Sequence, residues 1–220
     1  MENKQISLTE AIDLVKEGDI VAVGGFMTNG TPELLVDALV EKGIKHLTLV
    51  SNDTGLIDKG VGKLIMNHQF DKIITSHLGL NREAGRQLNE NETKFEIMPL
   101  GTLVERIRCG AFGLGGVLTP TGIGTLIEEG KQKITVAGRE YLLETPIKAD
   151  VALVLADQAD QTGNLQYAGS ENNFNHIMSA NAKTTIVQAR KVVATGTINP
   201  SFVHTPSIFV DCVVEGDVLC

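Results

Sequence analysis

The chain has 220 residues, 42% of them hydrophobic, and a formal net charge of -8. That length favours one sizeable α/β domain with a real core, and we take residues 1–220 as a single domain. The acidic balance argues against nucleic acid or an anionic membrane as partner, and no apolar run is long enough to span a bilayer.

Ser7-Leu8-Thr9-Glu10 fits a capping box, followed by an apolar stripe of Ile12, Leu14 and Val15. Ile20-Val21-Ala22-Val23 reads as a buried strand that stops at Gly24-Gly25. Thr31 as N-cap, Pro32 at the first helical position and Glu33 in the first turn then open a helix. Leu34, Leu35, Ala38 and Leu39 line one face of it, and Gly43 ends it. A strand that passes through glycines into a helix N-terminus offers backbone N–H groups to an oxyanion, carboxylate or phosphate. The spacing from Gly24 to Gly30 is not the dinucleotide fingerprint.

Further strands are expected at His46–Val50, Lys72–Ser76 and Phe95–Met98, with a glycine-rich loop from Ser51 to Gly62. A helix follows Gly101-Thr102, and its Glu105, Arg106 and Arg108 read as solvated charges, Arg108 being the one placed to meet an anion. A second glycine cluster, Gly110 to Gly124, reads as an irregular functional loop. Lys133–Val136 and Glu140–Leu143 form a hairpin around Ala137-Gly138. Buried strands follow at Val151–Ala156 and Thr185–Val187, with a helix between Asn173 and Ala182 and a last strand at Ile208–Val214. The alternation implies an open, mostly parallel sheet flanked by helices, with a β-hairpin insertion.

Complete catalytic sets are scarce. Gly130-Lys131 is followed by Gln132, so no P-loop forms, and no G-x-S-x-G elbow occurs. His46, His68, His77, His176 and His204 show no metal-ligand spacing, so no metal is expected. His77 closes a strand at the edge where α/β proteins bind ligands. Cys109 and Cys212 read as buried free thiols, and three widely spaced cysteines fit a reducing, cytoplasmic setting. Met1 to Gln5 lacks the apolar core of a signal peptide.

Six segments, taken together, resemble the alpha subunit of the family I coenzyme A-transferases. They are Val23-Gly24-Gly25-Phe26 with Gly30 and Pro32, Val50-Ser51-Asn52-Asp53-Thr54, Pro99 to Arg108, Leu118 to Leu126, Ala149 to Ala152, and Asn173-Phe174-Asn175. The resemblance implies the fold shared with ribose-5-phosphate isomerase-like proteins. It implies a hetero-oligomer with a beta subunit that carries the nucleophilic glutamate. The reaction implied is ping-pong transfer of CoA between short-chain acids such as acetate, acetoacetate and butyrate. Acyl-CoA and a short-chain carboxylic acid are then substrates, and no cofactor is required.

By the same resemblance, Gly24, Gly25, Phe26, Met27, Thr28, Asn29 and Gly30 approach CoA, and Asn52 donates to the substrate or thioester oxygen. Ser170-Glu171-Asn172 looks superficially like the beta-subunit nucleophile motif, but Asn173 replaces its glycine, so Glu171 is read as a decoy. Leu100 stands where many relatives have a hydrogen-bonding Gln, and Glu17 replaces a usual Asp or Asn. The competing reading is a non-catalytic ligand-binding or regulatory domain of the same fold.

Overall fold

The computed structural model describes residues 2–217, so Cys220 lies outside the described residues. The elements run α1 (Leu8–Ile12), β1 (Ile20–Val23), α2 (Glu33–Lys42), β2 (Leu47–Val50), α3 (Gly62–Met66) and β3 (Phe70–Thr75). They continue with α4 (Arg82–Asn89), β4 (Lys94–Ile97), α5 (Leu100–Ala111), β5 (Val117–Thr119), β6 (Lys133–Val136) and β7 (Arg139–Glu144). The last are β8 (Ala149–Asp160), β9 (Leu165–Gln166), α6 (Asn172–Asn181), β10 (Ala182–Val193) and β11 (Cys212–Glu215). The main sheet has the order β11-β10-β8-β1-β2-β3-β4, parallel throughout, with β9 added antiparallel to β8. A smaller antiparallel sheet, β5-β7-β6, carries the expected hairpin.

Parallel strands are covered on both faces, so they are apolar on both. Along β1, Val21 and Val23 point to one face and Ala22 to the other, as the two-residue period demands. Val21 and Val23 join Leu35, Val36 and Leu39 of α2 in one core. Ala22 joins Leu103 and Ile107 of α5 and Phe174, Ile177 and Met178 of α6 in the other. Leu103 and Ile107 are fully buried, each stabilising by about 1.5–3 kcal/mol.

Several elements differ from the sequence reading. The capping box is present, with Glu10 Oε2 accepting the Ser7 N–H at 2.9 Å. However, α1 ends at Ile12, and Leu14 is exposed while Ala11 and Val15 are buried. Thr31 is not the cap of α2: the helix starts one residue later, Pro32 takes the cap position without a side-chain bond, and Gln188 Oε1 accepts the Leu34 N–H at 3.0 Å. Helices α3 and α4 lie where no element was assigned, because α3 spans only one turn and α4 is almost wholly polar. Strands β8 and β10 are twelve residues each, as ladder pairing carries them past their apolar cores through Gln158 and Lys191.

The last strand is shorter than read: Ser207–Phe209 is a 3-10 turn with Ile208 exposed, and pairing begins at Cys212. The second glycine cluster is also more regular than expected. Gly110 lies inside α5, where any Cβ would strike Ile147 O, and Val117–Thr119 is a strand of the small sheet. Arg106 is not a solvated charge. It is 11% exposed and donates to Glu96 Oε1 at 2.5 Å and to Thr145 O at 2.7 Å. Cys109 and Cys212 are buried free thiols, and burial pushes the Cys212 thiol up to about 12. No described helix is long and apolar enough to cross a membrane.

Candidate active site

The first glycine turn leaves the C-terminal end of β1, the edge where open α/β sheets bind ligands. The Gly24 N–H continues the ladder to Leu153 O at 2.9 Å. Phe26 and Asn29 then exchange N–H···O bonds of 2.9 Å each, closing a two-residue hairpin. Its central residues, Met27 and Thr28, have φ of 51° and 68°. Two consecutive positive φ values define a type I′ turn, which normally takes Asn-Gly. A β-branched Thr at positive φ is strained, by about 1–3 kcal/mol.

That strain persists because the turn is gripped from two sides. From the loop after β2, Asp53 Oδ2 accepts the Met27 N–H at 2.8 Å. From α6, Asn173 Nδ2 donates to Asn29 O at 3.0 Å and Asn175 Nδ2 donates to Gly30 O at 2.9 Å. Asn29 Nδ2 also donates to Ser170 Oγ at 3.0 Å. Gly24 and Gly25 are required by space: a Cβ at Gly24 would overlap the Asn175 amide, and one at Gly25 would overlap Thr31 Oγ1. Two first-turn amides of α2 are already taken, since Thr31 O accepts the Glu33 N–H and Gln188 Oε1 that of Leu34. The available donors belong to the turn instead. The amides of Gly25, Thr28 and Gly30 have no acceptor among the described residues.

Asn52 sits just past β2, is 3% exposed, and faces the turn across a narrow slot that Gly24, Gly25, Thr28 and Asp53 also line. The slot's free volume is about 10 Å³, room for about one water. Asn52 Nδ2 donates to Asp53 Oδ2 at 2.7 Å, and its Oδ1 accepts from Ser76 Oγ at 3.2 Å. An amide has two hydrogens, so one N–H remains to donate. Asp53 lies in the Val50–Thr54 segment, but its sequence context alone assigns it no role. Its second oxygen accepts the Gly55 N–H at 2.8 Å, the Asx-turn signature visible in Asp53-Thr54-Gly55.

On the outer side of the turn lies a groove of about 640 Å³, with Thr28–Thr31 on one wall and Lys59, Lys63, Glu171 and Arg190 on the others. Lys63 pairs with Glu33 at 2.5 Å and with Asp37. Glu171, at the entry to α6, has both oxygens on the Arg190 guanidinium at 2.6 and 2.7 Å. Glu171 therefore lies near the turn, held in a bidentate pair with Arg190. Arg108 is engaged by Glu105 at 3.1 Å. His77 is exposed at the same sheet edge, and its carbonyl accepts the Thr54 N–H at 3.2 Å. Leu100 opens α5 with its side chain 42% exposed.

His68, Glu83 and Glu92 bring ligand-type atoms within 4.8 Å of one another, which their spacing in sequence did not suggest. Arg86 occupies both carboxylates, donating to Glu83 and Glu92 at 2.7 Å each. The cluster is an ion network around Arg86 of α4, and none of its residues lines the slot.

Residues 5–216 match the family described as Coenzyme A transferase. The chain is 45% identical over 214 residues to the acetate CoA-transferase subunit alpha of Escherichia coli K12, covering 97% of each. It is 46% identical over 215 residues to the acetoacetyl-CoA:acetate/butyrate CoA transferase alpha subunit of Clostridium acetobutylicum, covering 98% of this chain and 99% of that one. Among solved structures, glutaconate coenzyme A-transferase from Acidaminococcus fermentans superposes with a TM-score of 0.84 at 20% identity, over 96% of this chain and 75% of that one. An acyl-CoA transferase from E. coli O157:H7, in a thioester complex with CoA, superposes with a TM-score of 0.86 at 20% identity, covering 97% of this chain and 47% of that one. The slot, the glycine turn and this near full-length similarity lead to one conclusion: the chain belongs to the coenzyme A transferase family.

Proposed function

We propose that this chain is the alpha half of a two-subunit CoA-transferase that moves CoA between short-chain acids of the acetate, acetoacetate and butyrate class. One observation carries the division of labour. The slot has hydrogen-bond donors to spare, but its carboxylate does not attack: Asp53 is spent on three N–H groups, and nearby Glu171 is spent on Arg190. The family resemblance assigns the nucleophilic glutamate to a second chain, and these engaged carboxylates fit that assignment. Exposed Phe26, Met27, Leu56, Ile57 and Leu80 support this, since they cluster on loops at one sheet edge and suit burial by a protein partner.

In the proposed reaction, a partner glutamate attacks the thioester carbonyl carbon and CoA leaves as thiolate, giving an acyl-glutamyl anhydride. The thiolate then attacks the glutamyl carbonyl, the donor acid leaves as carboxylate, and a glutamyl-CoA thioester remains. An acceptor carboxylate reverses these steps and takes the CoA. Each addition places negative charge on a carbonyl oxygen. The spare Asn52 amide hydrogen and the Gly25 and Thr28 N–H groups are the donors for it, fixed in advance by the contacts that strain the turn.

The test is to purify this chain alone and together with a partner chain bearing a Ser-Glu-Asn-Gly segment. Each is then assayed for transfer from acetoacetyl-CoA to acetate and butyrate. Activity is expected only in the pair. Turnover by the chain alone, abolished by Glu171→Gln, overturns the assignment.

A further inference from the structure

Strands β2 and β3 pair with Val50 opposite Ile74, and both side chains pack with Ala22 on the sheet face that α5 and α6 cover. The two-residue period puts Asn52 and Ser76 on that same face one step further on, just past the ends of their strands. The ladder continues to carry them, since the Ser51 N–H donates to Ile74 O at 3.1 Å and the Ser76 N–H to Asn52 O at 3.0 Å.

The Asn52 backbone carbonyl has two lone pairs. The Ser76 N–H at 3.0 Å and the Thr75 hydroxyl at 3.1 Å take them. The Ser76 hydroxyl lies 2.7 Å from the same carbonyl and 3.2 Å from Asn52 Oδ1. Its one hydrogen is surplus at the carbonyl, and it is the only donor to Oδ1 among the described residues. At the other end of the amide, Nδ2 donates to Asp53 Oδ2 at 2.7 Å. Turning the amide over would set Oδ1 against that carboxylate, acceptor against acceptor. The amide is therefore held at both ends, by a hydroxyl that donates and a carboxylate that only accepts, and its second Nδ2 hydrogen alone is uncommitted. A hydrogen bond received at Oδ1 also polarises the amide and strengthens its N–H as a donor.

We propose that Ser76 is a positioning residue for the transfer reaction. Its hydroxyl fixes the plane of the Asn52 amide and so keeps the free Nδ2 hydrogen available to the slot, where charge builds up on the carbonyl oxygen. Ser76 does not itself line the slot, so it acts through Asn52. That the held amide serves transfer rests on the transferase reading, whereas the hold itself does not.

The experiment uses this chain purified with its partner. Ser76→Ala lowers kcat for transfer from acetoacetyl-CoA to acetate about three- to ten-fold, with KM nearly unchanged, because the hold matters when the oxyanion forms. Ser76→Thr keeps the hydroxyl and stays within about two-fold of the parent. In an Asn52→Ala background, Ser76→Ala changes kcat by less than about two-fold, because the group it positions has gone. A residue that only supports the strand end lowers kcat equally in both backgrounds, and that result overturns the proposal. So does an unchanged kcat in Ser76→Ala.

A second readout is independent of turnover. With the asparagine side-chain amides of this chain isotope-labelled in the complex, loss of signal in Asn52→Ala identifies the pair of Nδ2 proton resonances that belongs to Asn52. Ser76→Ala moves that pair, and Ser76→Thr leaves it close to its parent position. An unmoved pair in Ser76→Ala overturns the proposal. A moved pair in a complex that transfers no CoA leaves the hold standing and removes only the transferase reading.

Discussion

Asp53 Oδ2 accepts the Met27 N–H at 2.8 Å, tying the loop after β2 to the strained turn after β1. The same oxygen holds Asn52 Nδ2 at 2.7 Å, so one carboxylate sets both walls of the slot. Replacing Asp53 with Ala leaves three N–H groups unpaired in a site only 6% exposed. We expect a stability loss of about 2–3 kcal/mol, read by urea unfolding, and a fall in kcat larger than the change in KM. Asp53→Asn should lose less of both. An unchanged kcat in Asp53→Ala would separate the carboxylate from the site.

Asn52→Ala removes the side-chain donor while leaving the backbone contacts of Asn52 O with Ser76 in place. Loss of one oxyanion donor typically costs ~10²–10³ in rate. The expected pattern in steady-state kinetics of the two-chain enzyme is a kcat loss of that order with thermal stability nearly retained. A full-rate variant would reduce Asn52 to a loop residue.

The turn makes two opposite stability predictions. Thr28 sits at φ 68°, so Thr28→Gly relieves a strained conformation and should raise or preserve the melting temperature. Gly25 sits at φ 116° with Thr31 Oγ1 where a methyl would go. Gly25→Ala should lower stability by more than about 2 kcal/mol. Differential scanning calorimetry of the two variants checks both signs, and a destabilised Thr28→Gly would show that the turn is not strained.

Acid sensitivity should trace to α4. Hydrogen bonds from Arg86, then from Gln87, hold the Glu83 carboxyl down at about 2, against an ordinary 4.5. A carboxyl depressed in the folded state contributes stability that is fully present above its unfolded value and is lost as pH falls through its folded one. The window is therefore pH 4.5 down to about 2. Glu96 moves the same way: burial pushes its carboxyl up, but Lys72 and Arg106 together bring it below the ordinary value. Denaturant midpoints measured across this range should fall less steeply with acid in Arg86→Met than in the parent. Parallel curves would remove Arg86 from the explanation.

Much of the frame was legible because burial on both sheet faces forces apolar runs, as at Val21–Val23 and Val151–Ala156. The hairpin was legible because Ala137-Gly138 is turn chemistry, and both residues take positive φ, at 50° and 77°. Helix α4 was not legible: its buried side consists of Ala84 and Gln87, a pattern without an apolar stripe. The start of α2 was misread by one residue because its capping acceptor, Gln188, lies 154 positions away. Local rules cannot see a cap supplied by a distant strand. The site divides in the same way. The glycines, Asn52, Asn173 and Asn175 all sit in motifs, but the hold of the two later asparagines on the turn is a contact that only the folded chain creates.

The grip of Asn175 has a mechanical consequence. Its Oδ1 takes the Leu155 N–H at 3.0 Å while its Nδ2 holds Gly30 O, so the turn is braced directly against β8 in the middle of the sheet. A chain that presses on Phe26 or Met27 meets a stiff tip rather than a loose loop. Little backbone freedom remains to be frozen on that side when two chains meet, so more of the contact energy is left for holding them together.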